Sequence, residues 1–197
     1  MFLTAEAARA RLQAHSPQGV GAAGESCPEA AVAAILRFAT RPEILLIRRA
    51  LNPADPWSGH VAFPGGRREP GDADLLATAA RETREEVGID LERQAELLGR
   101  LDDVPAIARG RPVALVIVPF VFRAHEGVEP RVEPSRGEVD EALWAPIEPL
   151  ARGEADTTRA YELQGERVLL PAYRVGGHVV WGLTYRMLRS LFEVLGV

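Results

Sequence analysis

The chain has 197 residues, of which 47% are hydrophobic and 26% are charged. These proportions are ordinary for a soluble globular protein, and the length suits one domain with additions at its ends. The net charge of −5 and the isoelectric point near 5.5 argue against a nucleic-acid-binding surface. We expect an N-terminal helix and loop extension over residues 1–29 and a single domain over residues 30–197.

Cysteine content and hydropathy narrow the class of protein further. Cys27 is the only cysteine, so no disulfide framework can form within the chain. The sequence contains no apolar run of about eighteen residues and no apolar centre of a secretory signal. We therefore expect a cytoplasmic protein that does not cross a membrane.

The first part of the chain predicts a helix followed by two strands. Residues 4–14 favour a short helix with Thr4 as its N-cap, and residues 15–29 are rich in loop-forming residues. Residues 30–39 are apolar except at Arg37, which is typical of a buried strand. Residues 44–48 form a second apolar run after a short turn, so we expect a hairpin.

The end of the second strand carries two cationic side chains and leads into a loop. Arg48 and Arg49 are placed to clamp a diphosphate if this strand ends near a phosphate site, and a solvated strand end is an equal alternative. Prolines and a glycine predict a loop over residues 50–60. His60 at the end of this loop could contact a substrate or only support the loop.

The clearest helix in the sequence covers residues 74–87. Ala79, Thr83 and Val87 recur at four-residue steps and form a stripe suited to close packing on a sheet. Gly88 directly after them is a C-cap signal. We therefore expect one face of this helix to be buried and the other to be open.

The open face of the same helix concentrates negative charge. Glu82, Glu85 and Glu86 share one side of about one turn, because residues three and four apart are neighbours on a helix. Like charges at this spacing repel each other, whereas a cluster of hard oxygen ligands suits Mg²⁺ or Mn²⁺. Arg81 can orient the carboxylate four residues later, and the glycines within residues 63–66 would let a backbone approach a metal or a phosphate. A solvated acidic face is the alternative interpretation.

The middle of the chain predicts three strands and two loops. We expect strands over residues 97–101, 112–122 and 138–146. A Gly/Arg/Pro loop is expected over residues 105–112 and a polar loop over residues 123–137. The proline inside the middle strand predicts a bulge or an edge position, and the tryptophan of the third strand is expected in the core.

The last part of the chain predicts a short helix, several hairpin strands and a final helix. The short helix covers residues 149–152, and an amphipathic helix covers residues 182–195. Gln164–Gly165 and Gly176–Gly177 suit hairpin turns. The strands around these turns are expected at residues 158–163, 167–170, 173–175 and 178–181.

The stretch from Gly65 to Ile89 resembles the signature of the Nudix hydrolases, which is Gly, five residues, Glu, seven residues, Arg-Glu-apolar-x-Glu-Glu-x-Gly-apolar. The second half of the signature is matched at Arg81, Glu82, Glu85, Glu86, Gly88 and Ile89. Thr83 stands where an aliphatic residue is usual, and Gly66 lies fifteen residues before Arg81, one more than in the pattern. The upstream Glu has no counterpart at its position, and the nearest acidic residues are Glu69, Asp72 and Asp74.

A second pattern is similar to that of the coenzyme A diphosphatases of the same family, which also carry one extra residue in the loop before the helix. Their pattern has Leu-Leu before an Arg, then a Gly, then Phe-Pro-Gly-Gly. The chain matches it at Leu45, Leu46, Arg49, Gly59, Phe63, Pro64, Gly65 and Gly66. It departs where Thr, Ser and Arg are expected and carries Ile47, Ala50 and Asp55 instead. Asp55 places an acidic residue where the 3′-phosphate of coenzyme A calls for a basic one.

The resemblance implies a fold and a set of site residues. The fold is of the α/β (α+β) class, a Nudix α/β/α sandwich with a mixed β-sheet between helices. The metal ligands for Mg²⁺ or Mn²⁺ would be Glu82, Glu85, Glu86 and the carbonyl of Gly65. The residues assigned to catalysis are Arg81, Glu82 and Glu85. The residues assigned to substrate binding are Arg48, Arg49, Phe63, Gly66 and Arg67.

Two roles stay open within this resemblance. Arg81 would orient the carboxylates, and the general base could be Glu82, Glu85 or a distal carboxylate in the polar loop. Glu126 and Glu133 are the candidates for a distal base by their position. A homodimer is consistent with the family.

The implied reaction is hydrolysis of a small-molecule diphosphate linked to a larger group. Coenzyme A or an acyl derivative is the preferred substrate, cleaved to phosphopantetheine and 3′,5′-ADP. The alternative substrates are ADP-ribose, a nucleotide sugar, a damaged nucleotide or a dinucleotide, and a non-catalytic nucleotide-binding regulator is a second alternative. Isopentenyl diphosphate isomerases share the fold but need a catalytic cysteine near the metal helix, whereas Cys27 precedes the first core strand.

Overall fold

The structure is a computed structural model and describes residues 3–19, 29–53, 57–108, 111–133, 137–163 and 165–197. Cys27, Asp55 and Gln164 lie outside the described residues, as do parts of the loops expected before the first strand and near residues 110 and 135. Predictions that depend on those residues stay predictions.

The described residues form helices and strands close to the predicted positions. The helices are α1 (Ala5–Ala14), α2 (Leu75–Val87), α3 (Leu91–Gln94), α4 (Ile147–Ala151) and α5 (Gly182–Leu195). The strands are β1 (Glu29–Phe38), β2 (Pro42–Arg49), β3 (Val61–Ala62), β4 (Gly65–Arg67), β5 (Ala95–Arg100), β6 (Val104–Ala108), β7 (Arg111–Ala124), β8 (Val139–Pro146), β9 (Asp156–Leu163), β10 (Glu166–Val175) and β11 (His178–Trp181).

The larger sheet is mixed. Its central pair, β1 and β7, is parallel, with Ala33 opposite Phe120. The other pairings of this sheet are antiparallel: β1 with β2 and β4, β2 with β3 and β8, and β7 with β5 and β6. The predicted mixed sheet and the predicted β1–β2 hairpin are therefore confirmed.

Both faces of this sheet are buried, as expected for strands with continuous apolar sequence. Ala33 and Ile35 of β1 pack in a core cluster with Val87 at the end of α2. The alternate residues Ala34 and Leu36 belong to a second cluster, which also contains buried side chains of α1 and α5. The helices thus cover the sheet on both sides, which confirms the α/β/α sandwich.

Helix α1 begins where the sequence predicts. The hydroxyl of Thr4 accepts a hydrogen bond from the Ala7 N–H at 3.2 Å, and Ala8 and Leu12 are buried in the cluster that contains α5. Arg9 forms an ion pair with Glu96 of β5 at 2.6 Å. The division into an extension over residues 1–29 and a domain over residues 30–197 stays a prediction.

The sequence predicts a loop over residues 105–112, but the structure has strand β6 up to Ala108 and strand β7 from Arg111. Val104 pairs with Ile117 of β7, and Ile107 pairs with Pro112, so β6 and β7 form an antiparallel hairpin. Prolines at both ends of the segment indicated a loop from sequence. That expectation is wrong, because a proline can be accommodated where a strand begins or where its N–H side is unpaired.

Prolines in the longer strands lie where the neighbouring strand ends. The Leu101 N–H donates to the carbonyl of Pro119 at 2.9 Å, in the interval of β7 between its β6 partners and its β5 partners. Pro119 therefore sits inside the sheet at a change of partner, so of the two predicted alternatives, a bulge or an edge, the edge position is wrong. Similarly, β10 runs through Pro171 without a break, because β11 pairs only from Ala172 onward.

The sequence predicts that Trp144 of β8 lies in the core. In the structure its side chain is only half-buried and packs against the edge of the core cluster that contains Val87. Its indole N–H donates to Glu129 at 2.9 Å, and the guanidinium of Arg37 lies 4.3 Å from its ring centre. The polar contacts of the ring explain this position, since a buried indole N–H needs an acceptor.

The C-terminal part adds a second, smaller sheet, in which β9, β10 and β11 are antiparallel neighbours in that order. The predicted hairpin at Gly176–Gly177 is confirmed by the pairing of Val175 with His178. Helix α5 follows directly and buries Met187, Leu188, Leu191 and Leu195 as predicted. Among the described residues, no helix is both long enough and apolar enough to cross a membrane.

Candidate active site

Helix α2 holds the acidic residues in a fixed position. Asp74 caps its N-terminus by accepting the Ala77 N–H at 2.8 Å, and Gly88 ends it in the left-handed conformation with φ 67°. Ala79, Thr83 and Val87 are fully buried against the sheet. The predicted helix and its buried face are confirmed, and Glu82, Glu85 and Glu86 follow along its other side.

Two glycines of β4 bring the backbone against this helix. At Gly65 a Cβ atom would overlap the Ala31 carbonyl of β1, and the backbone has φ 150°. At Gly66 a Cβ atom would overlap the carboxylate of Glu82. A side chain at position 65 would clash with the backbone of β1, so this position requires glycine, whereas a side chain at position 66 would displace the carboxylate of Glu82.

Arg81 is the centre of an ion-pair network. Its guanidinium donates two bonds to Asp72, from Nε at 2.9 Å and from Nη2 at 3.1 Å. Its Nη1 donates to Glu82 at 3.0 Å and to Glu85 at 3.4 Å. Its Nη2 also donates to the carbonyl of Arg67 at 3.1 Å. Such a fork fixes the orientation of each carboxylate it meets.

Asp72 is the residue that anchors Arg81, and the sequence named it only as one of three acidic residues near the position of the signature's upstream Glu. Besides the guanidinium, its carboxylate accepts the Glu69 N–H at 2.9 Å and the Thr78 hydroxyl at 2.9 Å. The hydrogen bonds from Arg81 hold the pKa of Asp72 well below its usual range, and they raise the pKa of Arg81. The sequence did not single out Asp72, because the loop before α2 has one residue more than the signature and no acidic residue falls at the position of the upstream Glu.

Glu86 is a buried carboxylate with few partners. Its residue is 5% exposed, and its Oε2 accepts the Gly65 N–H at 2.8 Å. The guanidinium of Arg49 lies 3.7 Å from its Oε1. Burial raises the pKa of Glu86 to about 8, and the Gly65 N–H and Arg49 oppose this shift only in part. A cation bound here would restore the charged form of the side chain.

Glu82 has a similar environment. Burial raises its pKa, Arg81 lowers it, and the nearby carboxylates of Glu85 and Glu138 raise it further. Glu138 also raises the pKa of Glu86. Several carboxylates therefore share a small volume with too little positive charge to balance them.

These carboxylates fit a hard divalent cation by their chemistry. Oxygen donors are the ligands that Mg²⁺ and Mn²⁺ prefer, and Glu82, Glu85 and Glu86 are the residues that would hold the ion. Among the described residues, no group of three or more acidic, histidine or cysteine side chains is already arranged around an empty ion position. The carboxylates are instead turned toward Arg81 and the Gly65 N–H, so metal binding would require some of them to rotate. The role of the Gly65 carbonyl stays a prediction.

A cleft of about 1070 Å³ opens beside the acidic face of α2. The predicted site residues that line it are Arg49, Phe63, Gly65, Gly66, Arg67, Glu82 and Glu86. Glu85 and Arg81 lie behind this surface in the ion-pair network.

Arg48, which the sequence also assigned to substrate binding, is not brought to the cleft. Its guanidinium forms ion pairs with Asp140 at 2.9 Å and with Glu141 at 3.7 Å, on the side of β2 next to β8. Neighbouring residues of a strand point in opposite directions, which explains why Arg49 reaches the cleft and Arg48 does not.

Glu138 is a cleft residue that sequence reasoning missed as a site candidate. It stands just before β8, and its carbonyl accepts the Ala50 N–H at 2.9 Å. The expected distal candidates, Glu126 and Glu133, are exposed in the preceding loop and are not among the described residues that line the cleft. Residues 138–144 follow the pattern Glu-Val-x-Glu-x-x-Trp, which was the available signal, although only a strand was predicted there.

The far wall of the cleft carries aromatic rings, of which only His60 was a possible substrate contact from sequence. The ring of His60 lies 4.7 Å from that of Trp181, and the ring of Tyr161 lies 5.3 Å from it. The guanidinium of Arg159 is 5.8 Å from the centre of the Trp181 ring. These residues come from separate parts of the chain, so no local pattern could reveal their proximity.

Two features together indicate one class of protein. They are the mixed sheet between helices and the acidic helix that lies beside Gly65 and Gly66. The NUDIX domain family model matches residues 27–164. The chain therefore belongs to the Nudix hydrolase family.

The chain is also similar to three curated proteins, one of which is named as a Nudix hydrolase. An uncharacterized protein of Schizosaccharomyces pombe, C14C4.10c, is 37% identical over 77% of the chain and 47% of its own length. The mitochondrial coenzyme A diphosphatase NUDT8 of Homo sapiens is 33% identical over 73% of the chain and 58% of its own length. The uncharacterized Nudix hydrolase NudL of Citrobacter koseri is 30% identical over 99% of the chain and 96% of its own length. The chain thus spans about half the length of the first two.

A solved structure supports the fold. The crystal structure of a Nudix hydrolase from Alicyclobacillus acidocaldarius matches with a TM-score of 0.54 and 21% identity, over 87% of the chain and 93% of that protein.

Proposed function

We propose that the protein hydrolyses the diphosphate linkage of coenzyme A or its acyl derivatives, with Mg²⁺ or Mn²⁺, to phosphopantetheine and 3′,5′-ADP. The observation that carries this proposal is that one large cleft is lined both by carboxylates, the buried Glu86 and the half-buried Glu82, and by the cationic side chains of Arg49 and Arg67. Likeness to a mitochondrial coenzyme A diphosphatase supports the choice of substrate.

The chain's own residues supply most of the positioning. Arg49 and Arg67 line the cleft and would contact the non-bridging oxygens of the diphosphate. Arg81 would fix the orientation of the carboxylates of Glu82 and Glu85 through its hydrogen bonds to them. A divalent cation, when bound, neutralises phosphate charge and makes water more acidic.

The bond changes balance as a hydrolysis. The oxygen of water would form a bond to one phosphorus, and the bridging P–O bond would break with the second phosphate as the leaving group. A carboxylate would accept the proton of the water. Glu82, Glu85 and Glu138 are the candidates for this base, because each lies in or beside the acidic cluster.

One departure from the coenzyme A pattern has a structural explanation. Ile47 is fully buried and packs in the cluster that contains Val87, so the residue at that position contacts the core and not the cleft. Ala50 does line the cleft, and Asp55 lies outside the described residues. The change at Ala50 is the observation that favours the second candidate, a pyrophosphatase acting on ADP-ribose or a dinucleotide.

Product analysis by mass spectrometry tests the proposal. Coenzyme A, dephospho-coenzyme A, ADP-ribose, NADH and diadenosine polyphosphates would each be incubated with Mg²⁺ and with Mn²⁺. We expect coenzyme A to give 3′,5′-ADP faster than the other substrates are cleaved. Faster cleavage of ADP-ribose or a dinucleotide would favour the second candidate, and metal-independent binding without turnover would favour a regulator. A cytoplasmic location and a homodimer stay predictions.

A further inference from the structure

The small sheet ends in a strand whose outer edge is unpaired. In the part of the chain that the structure describes, β9 pairs with β10 on one side and with no strand on the other. Its eight residues, Asp156–Leu163, include no proline and pair with β10 without a register shift. Natural proteins usually protect an edge of this length with prolines, bulges or a covering segment. The edge of β9 therefore offers a row of backbone donors and acceptors to a further strand.

The sequence of β9 is complementary to itself in one antiparallel register. Alternate residues of a strand direct their N–H and C=O groups to the same side, so two copies of one edge pair odd residues with odd ones and even residues with even ones. A pairing centred on Ala160 uses nearly the whole strand and places Arg159 opposite Tyr161 of the second copy. A pairing centred on Arg159 would place two guanidinium groups opposite each other, which is unfavourable, and centres further toward either end pair fewer residues. In the Ala160 register, Thr158 lies opposite Glu162 of the second copy, and no two like charges meet.

The cleft face of β9 supports this register. Arg159 and Tyr161 both line the cleft, because residues two apart lie on the same face of a strand. A guanidinium group beside a tyrosine ring forms a favourable cation–π pair. Two such pairs would form, one on each side of the two-fold axis. The second copy thus adds an aromatic ring next to Arg159 in each cleft.

The opposite face of the small sheet supports it as well. Leu169 of β10 is 66% exposed and pairs with Ala160, which is also exposed. Across the axis the row continues with Ala160 and Leu169 of the second copy, so two alanines separate the leucines and no charged group lies between them. Arg167 lies opposite Glu162 on the same face and balances the nearest negative charge. The apolar part of this face therefore lies where the two edges would meet, and association would remove some of it from water.

We propose that two copies of the chain associate through their β9 edges about a two-fold axis at Ala160, so that their small sheets form one continuous antiparallel sheet. A contact of this kind is isologous, because each copy contributes the same residues. Backbone hydrogen bonds between the edges supply affinity, and Arg159, Ala160 and Tyr161 set the register. The association goes beyond the proposed reaction and does not depend on it.

Disulfide cross-linking tests the register directly. Opposite residues of an antiparallel pair have Cα atoms about 4.5 to 5.5 Å apart, which is within the range of a disulfide. Ala160→Cys would be made together with Cys27→Ser, which removes the native thiol. We expect mild oxidation to convert most of this variant to a covalent dimer that a reducing agent dissociates. Absence of a cross-link in Ala160→Cys would overturn the proposal.

A cysteine two residues along the same strand is the matched control. Glu162 is also exposed and lies on the same face, but the Ala160 register separates the two copies of position 162 by about 13 Å along the strands. We therefore expect little cross-linking of Glu162→Cys in the same background. Equal cross-linking of the two variants would indicate random collision and would also overturn the proposal.

Association without a cross-link is measured by sedimentation over a wide range of protein concentration. We expect the wild type to form dimers and Ala160→Lys to associate at least about tenfold more weakly, because two ammonium groups then lie opposite each other at the axis. Ala14→Lys is the control, since Ala14 is exposed at the end of α1, which packs on β5 and α5, and its association should match the wild type. Circular dichroism would verify the fold of both variants. A monomeric wild type, or dimers that Ala160→Lys leaves intact, would contradict the proposal.

The outcomes separate this inference from the proposed function, because none of these measurements uses coenzyme A. Dimers that cross-link at position 160 in a protein without turnover would leave the association standing and the reaction wrong. Monomers that cleave coenzyme A would leave the reaction standing and overturn the association. Open-ended assemblies that Ala160→Lys abolishes would assign the β9 edge to a head-to-tail contact and overturn the two-fold arrangement.

Discussion

At the scale of single residues, Arg81 connects the loop before α2 to the acidic face of the helix. It bonds Asp72 on one side and Glu82 and Glu85 on the other, so the carboxylates are oriented before any substrate arrives. The sequence predicted that Arg81 would contact Glu85 four residues later, and the structure has this contact. It did not predict that Asp72 binds the guanidinium, because only the folded loop decides which carboxylate meets Arg81.

Asp72→Asn tests this connection. Loss of the carboxylate removes the charge that anchors Arg81, and we expect kcat to fall by about 10- to 100-fold with little change in KM. Circular dichroism should show a retained fold. Asp74→Asn is the matched control, because asparagine caps a helix as well as aspartate does and activity should stay near wild type. Wild-type turnover in Asp72→Asn would contradict the positioning role.

Glu86 makes the metal-free protein sensitive to pH. Its pKa is raised from 4.5 to about 8 in the folded state, so between these values the folded protein binds a proton that the unfolded chain has released. Stability should therefore fall as the pH rises through this window. Melting temperatures in EDTA at pH 5 and at pH 8.5 measure the effect, which should be smaller in Glu86→Gln. An unchanged pH dependence in that variant would contradict the assignment.

At the scale of elements, hydrophobic pattern was sufficient for α2, α5, β1 and β2. Periodic or continuous apolar residues decide these elements, and their ends carry recognisable caps such as Asp74 and Gly88. Strand β6 could not be predicted in the same way. Its proline suggested a loop, and only pairing with β7 makes the segment a strand.

Thr83 gives a prediction for the stability of α2. Its hydroxyl is fully buried and has no hydrogen-bond partner among the described residues. Thr83→Val replaces the hydroxyl by a methyl group and keeps the shape of the side chain. We therefore expect the free energy of unfolding to rise by about 1 kcal/mol. Denaturant titration would measure the change.

Thr78→Val is the comparison for that measurement. The Thr78 hydroxyl is also buried but donates to Asp72 at 2.9 Å and to the Asp74 carbonyl at 3.2 Å. We expect this variant to be destabilised, because the carboxylate of Asp72 loses a donor. A loss of stability in Thr83→Val equal to that in Thr78→Val would contradict the difference between the two hydroxyls.

At the scale of the whole molecule, the two sheets meet to form one cleft. The larger sheet and α2 supply the carboxylates, and the small sheet with α5 supplies the opposite wall. The acidic end was predictable because its residues lie within one helix and a nearby loop. The opposite wall was not, because His60 and Trp181 are far apart in sequence and meet only in the fold.

If the acidic face of α2 binds a catalytic divalent cation, Glu86→Gln should weaken both Mn²⁺ binding and turnover, and these two quantities would be measured in parallel. The glutamine oxygen can still accept the Gly65 N–H, so the fold should persist while the charge is lost. Glu154→Gln, an exposed change outside the cleft, is the control. We expect wild type and Glu154→Gln to bind Mn²⁺ alike, and Glu86→Gln to bind at least about tenfold more weakly with turnover reduced by about 100-fold or more. Unchanged binding and turnover in Glu86→Gln would contradict the claim.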